Sequence, residues 1–167
     1  MIGRRVAGVV VLAAIVLSAA GCGYSSKGLY RDDIRTVHVE IFASKEFRRD
    51  IEFLLTEAVQ KRVNTDTPYR LAGRDRADTV LRGEVLEIRQ ASFAPDPVSR
   101  QPRDIQLTLA VRLEWKDQRS GEILLDQPIL LQAVDYLPAA GESEPYAQQK
   151  AVDQMAARIV SRMYADW

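Results

Sequence analysis

The clearest pattern in the chain is a strict alternation of apolar and polar residues from Ile105 to Trp115. Alternation with a period of two predicts a β-strand that buries one face. The same pattern predicts an earlier strand over residues 35–42, with Val37, Val39 and Ile41 on its buried face. Apolar runs between turn residues predict further strands over residues 69–72, 79–93 and 123–134.

Two of these strands carry irregularities. In the strand over 79–93, Leu81 and Val85 share one phase while Leu86 and Ile88 share the other, which predicts a β-bulge or burial of both faces near residues 83–86. Pro128 lies inside the last strand and lacks a backbone N–H, so this strand is predicted at a sheet edge or with an irregularity. The proline-rich residues 94–103 are predicted to form a loop, and Ser120-Gly121 a hairpin turn.

Apolar residues at three- and four-residue spacing predict two helices. The first is expected from about Lys45 to Val63 with Ser44 as its N-cap, and the second from near Pro145 to the end of the chain. Their apolar stripes contain Phe47, Ile51, Leu54, Leu55, Ala58 and Val59 in the first and Val152, Met155, Ala156, Ile159, Val160, Met163 and Trp167 in the second.

The order of these elements is β-α-β-β-β-α, with one additional short strand over residues 69–72 after the first helix. This order predicts an α+β fold, a two-layer sandwich in which two helices pack on one face of a mainly antiparallel sheet of about four strands.

The first residues have the pattern of a bacterial lipoprotein leader. Arg4 and Arg5 precede an uncharged stretch from Val6 to Ala20, which at roughly 15 residues is shorter than the ~20 of a membrane-spanning helix. Small residues then lead to Cys22, the single cysteine. This boundary resembles a lipobox, with Ala19 where a larger aliphatic residue is usual.

The expected organisation is a signal peptide over residues 1–21, a lipidated N-terminus and tether over 22–34, and one α+β domain over 35–167. The alternative is an ordinary signal peptide that leaves Cys22 as a free thiol. Without a second cysteine no intramolecular disulfide can form, so the domain must be stabilised by its own core. Acyl chains on Cys22 would hold it on a membrane.

Charge and residue types narrow the functional classes. The chain has 23 basic and 23 acidic residues, and loss of Arg4 and Arg5 with the leader leaves a small acidic excess, which does not indicate a nucleic-acid partner. The single histidine, His38, has no second histidine or cysteine to complete a zinc set, and is expected to be an ordinary residue of the sheet surface. No nucleophile elbow or phosphate loop is present. We therefore predict that the protein is not an enzyme and uses no metal or cofactor.

Two surfaces are candidates for binding. Arg100 and Arg103 in the proline-rich loop carry guanidinium groups that suit a phosphorylated glycolipid, although solvated loop charges are the alternative interpretation. The second candidate is the sheet face opposite the helices, to which Gln106, Thr108, Arg112 and Glu114 are expected to point. The sequence leaves open whether this face is hydrated or docks a partner.

Several segments resemble the lipopolysaccharide-assembly lipoproteins of the LptE-like family. They follow one another across nearly the whole mature chain: Cys22-Gly23-Tyr24, the strand from Val37 to Phe42, and the segments over residues 53–59, 77–85 and 156–163. The resemblance implies an outer-membrane lipoprotein, lipid-anchored and facing the periplasm, that plugs a large LptD-like β-barrel and assists lipopolysaccharide transport. Gly23 after the cysteine fits outer-membrane sorting in such lipoproteins.

The resemblance also implies lipopolysaccharide binding through basic loop residues, for which Arg100 and Arg103 are the nearest candidates. The loop over residues 141–144, which contains Glu142 and Glu144, is acidic and departs from that expectation. The alternative function is that of another periplasm-facing lipoprotein with a small α+β domain, such as a cell-wall synthase activator or a secretion-pore component.

A Cys22→Ala substitution tests the lipid anchor. We expect the variant to accumulate as unprocessed precursor without acyl label, because both processing and acylation of a lipoprotein need the cysteine thiol. Gel mobility and metabolic labelling with a fatty acid measure the two effects. Normal maturation of the variant would contradict the lipoprotein interpretation and favour an ordinary signal peptide.

Overall fold

A computed structural model describes residues 30–45, 50–95 and 102–164, with the backbone alone for residues 93–95, 102 and 103. Its elements are β1 Thr36–Val39, β2 Ala43–Ser44, α1 Ile51–Asp66, β3 Arg70–Leu71, β4 Thr79–Pro95, β5 Pro102–Asp117, β6 Ile123–Tyr136 and α2 Glu144–Ser161. Short 3₁₀ turns lie at Arg74–Arg76 and Pro138–Ala140.

The strands form one mixed sheet in the order β3-β1-β4-β5-β6, with β2 also beside β4. The long β4, β5 and β6 pair antiparallel, whereas β1 runs parallel to β3 and β4, and β2 runs parallel to β4. The parallel pairs follow from α1, which returns the chain to the end where β1 began. The predicted α+β class is confirmed, and the six strands described are more than the four expected.

Both helices pack on one face of the sheet, and the core lies between these layers. The alternation predicted for β5 is confirmed, since Leu107, Leu109, Val111, Leu113 and Trp115 are at most 2% exposed. The stripe predicted for α2 is also buried from Val152 to Met163, and α1 contributes Ile51, Leu55, Val59 and Val63. Leu54 of the stripe predicted for α1 is 38% exposed, while Phe47 and Trp167 lie outside the described residues.

Both predicted strand irregularities are present. The register between β4 and β5 shifts between Val85 and Glu87, which places Leu86 in a bulge. The register between β5 and β6 shifts where Leu113 faces Gln127 and Val111 faces Leu130, so Pro128 lies in an irregular part of an edge strand. The proline is tolerated there because the ladder is already interrupted.

The predicted start of the first helix is wrong. Ser44 lies in β2 opposite Val85, and the N–H of Lys45 donates to the Val85 carbonyl at 3.1 Å. The helix begins at Ile51, after Asp50 with φ of 89°, and ends at Asp66 rather than Val63. Hydrogen bonding to β4 therefore takes precedence over the local tendency of Ser44 to cap a helix.

The predicted burial of Ile41 is also wrong, because its side chain is 65% exposed and the neighbouring Phe42 is buried. The alternation changes phase between β1 and β2, where the N–H of Phe42 donates to the Thr56 hydroxyl at 3.0 Å. Gly83 makes room for this arrangement, since a Cβ at that position would overlap the Phe42 ring.

Four element ends also differ from the predictions. The connection between β4 and β5 is shorter than the predicted loop over residues 94–103, because β4 continues to Pro95 and β5 begins at Pro102. Strand β6 extends to Tyr136 rather than Val134, and α2 ends at Ser161 rather than continuing. In β4, β5 and β6 the backbone hydrogen bonds of the antiparallel pairing continue past the residues that the apolar pattern predicted as strand.

Asp78 joins the start of β1 to the start of β4. Its Oδ2 accepts hydrogen bonds from the N–H groups of Arg35 and Thr36 at 3.1 and 3.0 Å and from the Thr36 hydroxyl at 2.8 Å. The Asp78 N–H donates to the Thr36 Oγ1 at 2.9 Å, and Arg119 pairs with the Asp78 Oδ1. The hydrogen bond from Thr36, followed by those from the backbone, holds the pKa of Asp78 below its ordinary value.

We expect Asp78→Ala to lower the free energy of unfolding by about 2–3 kcal/mol, since it removes hydrogen bonds to a carboxylate and leaves N–H donors unpaired. Urea unfolding measures this loss. Because the folded pKa is lowered, the stabilisation is present above the unfolded value of about 3.9 and is lost as pH falls below it. The difference between wild type and variant should therefore be larger at neutral pH than near pH 3.

Asp75→Ala is the matched control, because Asp75 is an exposed residue of the adjacent 3₁₀ turn. This variant should unfold at nearly the wild-type urea concentration. Equal losses for the two variants, or a difference that does not change with pH, would contradict the role assigned to Asp78.

Candidate functional surfaces

The β4–β5 hairpin closes one end of the sheet. Pro95 and Pro102 pair at the end of the β4–β5 hairpin, so Arg100 lies between them in sequence and Arg103 follows on β5. Arg100 and Cys22 lie outside the described residues, and only the backbone of Arg103 is described. We call this end of the domain, at Pro95 and Pro102, the hairpin end.

The described chain enters at the opposite end, which we call the tether end. Here Tyr30 packs edge-on against Tyr69 and Tyr164, with ring centroids 5.6 and 5.0 Å away. Its hydroxyl donates to the carbonyl of Asp66, the last residue of α1, at 2.7 Å. Burial and the hydrogen bond with Tyr164 raise the pKa of Tyr30, so the phenol stays protonated at neutral pH. These contacts fix where the chain enters the domain.

Strand β4 connects the two ends. Thr79 pairs with Val37 of β1 near the tether end, and Pro95 closes the hairpin at the other end. With 17 residues at about 3.3 Å each, β4 spans about 50 Å. The start of the described chain, at Tyr30, and the β4–β5 hairpin therefore lie at opposite ends of the domain, an arrangement that sequence spacing alone did not indicate.

The sheet face opposite the helices, called here the outer face, carries two rows of ion pairs. In the first row Glu40 pairs with Arg74 at 2.8 Å and with Arg82 at 3.0 Å, and Arg82 also approaches Glu114 at 3.8 Å. In the second row Glu84 lies 3.2 Å from Lys45 and 3.7 Å from Arg112.

Each of these pairs is partly exposed, so each contributes at most about 1 kcal/mol to stability. Their main effect is that the charges of this surface compensate one another. His38 also lies on the outer face, where its Nδ1 is 3.0 Å from the Ala72 carbonyl oxygen. That contact joins β1 to the residue after β3, which is a structural role.

An apolar strip adjoins the ion pairs on the outer face. It lies along a groove of ≈ 480 Å³ and contains Leu86, Ala110, Ile129 and Leu131, with Glu87, Arg89 and Thr108 around them. Ile129 and Leu131 are 60% and 52% exposed. Exposed apolar side chains that are grouped in a groove are typical of interaction sites.

The pattern of the sequence predicted only part of this face. Thr108, Arg112 and Glu114 alternate with the buried residues of β5 and lie on the outer face, as predicted. Ile129 and Leu131 were missed because the register shift at Pro128 decides which residues of β6 point outward. The pairing of Leu131 with Ala110 places both on the outer face, and no local pattern in the sequence carries that information.

Within residues 30–45, 50–95 and 102–164, no helix is long and apolar enough to cross a bilayer. The same ranges contain no group of three or more histidine, cysteine, aspartate or glutamate side chains that could hold a metal ion.

Comparison with known families decides the identity of this domain. The family model described as lipopolysaccharide-assembly, LptE, matches residues 34–166, which covers the whole described fold except its first residues. The chain belongs to the LptE family. A search of curated proteins found no relative that matches it.

Solved structures of low sequence identity share the fold of this LptE-family chain. Lipoprotein B from Nitrosomonas europaea is 8% identical with a TM-score of 0.56, covering 84% of this chain and 89% of its own. A PelC dodecamer from Paraburkholderia phytofirmans is 16% identical with a TM-score of 0.55, covering 83% and 95%. A hypothetical protein from Chlamydia trachomatis is 12% identical with a TM-score of 0.54, covering 78% and 98%. At these identities the likeness concerns the fold alone.

Proposed function

We propose that this LptE-family chain is a non-catalytic outer-membrane lipoprotein that assists lipopolysaccharide assembly as the partner and plug of a large β-barrel. The observation that carries the proposal is the match of the lipopolysaccharide-assembly family over residues 34–166. The predicted leader over residues 1–21, followed by Cys22, supports a lipid anchor that would leave the domain facing the periplasm.

The separation of the two ends supports this placement. Eight residue steps join Cys22 to Tyr30, so the anchor lies within about 28 Å of the tether end. The hairpin end lies about 50 Å further along β4, compared with about 40–45 Å for a bilayer including its headgroups. A domain anchored in the inner leaflet and standing upright within a barrel would therefore carry Arg100 and Arg103 toward the opposite leaflet.

The outer face is the surface that we assign to the barrel. The lumen of a membrane β-barrel is polar, so a plug must cover it without burying uncompensated charge. On the outer face Glu40 and Glu84 each already pair with two basic side chains. The strip around Ile129 and Leu131 then offers apolar area that contact with a partner would remove from water.

A pull-down of the tagged lipoprotein in mild detergent tests this assignment. We expect a large β-barrel to copurify, and we expect Ile129→Glu with Leu131→Glu to reduce its recovery by about tenfold, because two charges would be buried at the contact. Phe53→Glu is the control, since Phe53 is 54% exposed on α1, away from the outer face. Mass spectrometry identifies and quantifies the captured proteins.

Absence of a barrel from the wild-type pull-down would contradict the proposed function. Capture of a cell-wall synthase or a secretion pore would favour the alternative, another periplasm-facing lipoprotein with this domain. Recovery of a barrel that is equally reduced by the α1 variant would reject the outer face as the contact while leaving the function intact.

The hairpin end carries the proposed lipopolysaccharide contact. Replacing both Arg100 and Arg103 by Glu should weaken binding of lipopolysaccharide to the purified protein by about tenfold, because guanidinium groups bind phosphate through charge-assisted hydrogen bonds. Arg76→Glu is the control, since this exposed arginine lies between β3 and β4 at the other end of the sheet. Equal effects of the two changes in an affinity titration would mean that the hairpin is not a specific site.

A further inference from the structure

A second groove, of ≈ 610 Å³, lies at the tether end between the last turn of α2 and the beginning of β6. Trp115, Leu124 and Leu125 give it an apolar wall. Arg31 and Arg162 lie at the same groove, together with the phenol of Tyr164. We call it the tether groove. It is separate from the outer face and from the hairpin end.

The lining of the tether groove is basic and rich in hydrogen-bond donors. It includes two guanidinium groups, and none of its described lining residues is acidic. Arg31 pairs with Asp33 at 3.3 Å, but the Asp33 side chain is 60% exposed and outside the groove. Arg162 forms no ion pair within the described residues. Such a lining suits an anion that carries an apolar portion.

The position of the groove indicates where such a ligand would come from. Arg31 follows Tyr30, which Tyr69 and Tyr164 hold in place, and Tyr164 itself lines the groove. A chain anchored at Cys22 therefore holds the groove within about 30 Å of the leaflet that carries the anchor. That leaflet presents phosphate groups with acyl chains directly beneath them.

We propose that the tether groove binds the headgroup of an anionic phospholipid, with Arg31 and Arg162 on its phosphate and the beginning of an acyl chain against Leu124 and Leu125. This inference rests on the lipid anchor of the proposed function. It adds a second membrane contact, which orients the domain on the bilayer instead of leaving it on the tether alone.

The test uses the mature lipoprotein extracted in neutral detergent and titrated with phosphatidylglycerol, and native mass spectrometry counts the bound lipids. We expect one phosphatidylglycerol to bind more tightly than phosphatidylcholine. Replacing Arg31 and Arg162 together by Gln should weaken that binding by about tenfold, since two charge-assisted contacts to phosphate are lost. The control replaces Arg70 and Arg76, two exposed arginines outside the groove, by Gln.

Equal binding of the two phospholipids, or equal losses in the groove and control variants at unchanged thermal stability, would overturn the proposal. Stronger binding of lipid A than of phosphatidylglycerol in the same groove would overturn the phospholipid assignment. The same spectra give the mass of the N-terminal residue, so an unacylated Cys22 would be detected separately as a failure of the lipid anchor. Normal barrel capture by a protein that binds no phospholipid would reject this inference alone.

Discussion

The long antiparallel ladder between β4 and β5 is the constraint on which the rest of the structure depends. It pairs Thr79 with Asp117 at one end and Pro95 with Pro102 at the other, with a single shift at the Leu86 bulge. One side of the ladder buries the aliphatic row of β5 under the two helices. The other side of the ladder belongs to the outer face, which the two helices do not cover. The length of the same ladder separates the tether end from the hairpin end.

Because of that separation, the two ends of the domain present different residues. The contacts of Tyr30 tie the entering chain to Asp66, the last residue of α1, and to Tyr164, which follows α2. The β4–β5 hairpin, with Pro95 paired to Pro102, closes the other end of the sheet. In the function proposed above, this separation would keep the lipid anchor and the contact with lipopolysaccharide on different sides of the domain.

Two side chains of α2 contact the backbone of β6, the strand at the sheet edge. Arg158 donates to the Leu131 carbonyl at 2.6 Å, and Lys150 lies 3.5 Å from the carbonyl of Asp135. Pro128 interrupts the other part of the strand. Long unprotected edges invite pairing with other chains, and these features oppose it. They favour the side chains of the outer face over the backbone of this edge as the surface for the partner proposed above.

Local periodicity and local chemistry were enough to predict several features from the residues alone. The alternation of β5, the bulge near Leu86, the irregularity at Pro128 and the apolar stripe of α2 all follow from side chains that must face one core at a fixed repeat. The absence of residues for a zinc set or a nucleophile elbow could likewise be read from the chain alone.

Features that depend on pairing between residues far apart in sequence became visible only in the folded structure. Ser44 and Lys45 join β4 instead of starting a helix, and Phe42 replaces Ile41 in the core because Gly83 leaves space for its ring. The outward placement of Ile129 and Leu131 depends on the register with β5, and the tether groove depends on segments far apart in sequence. Local preference is a matter of tenths of a kcal/mol to about 1 kcal/mol per residue, so nonlocal hydrogen bonding and burial override it at these positions.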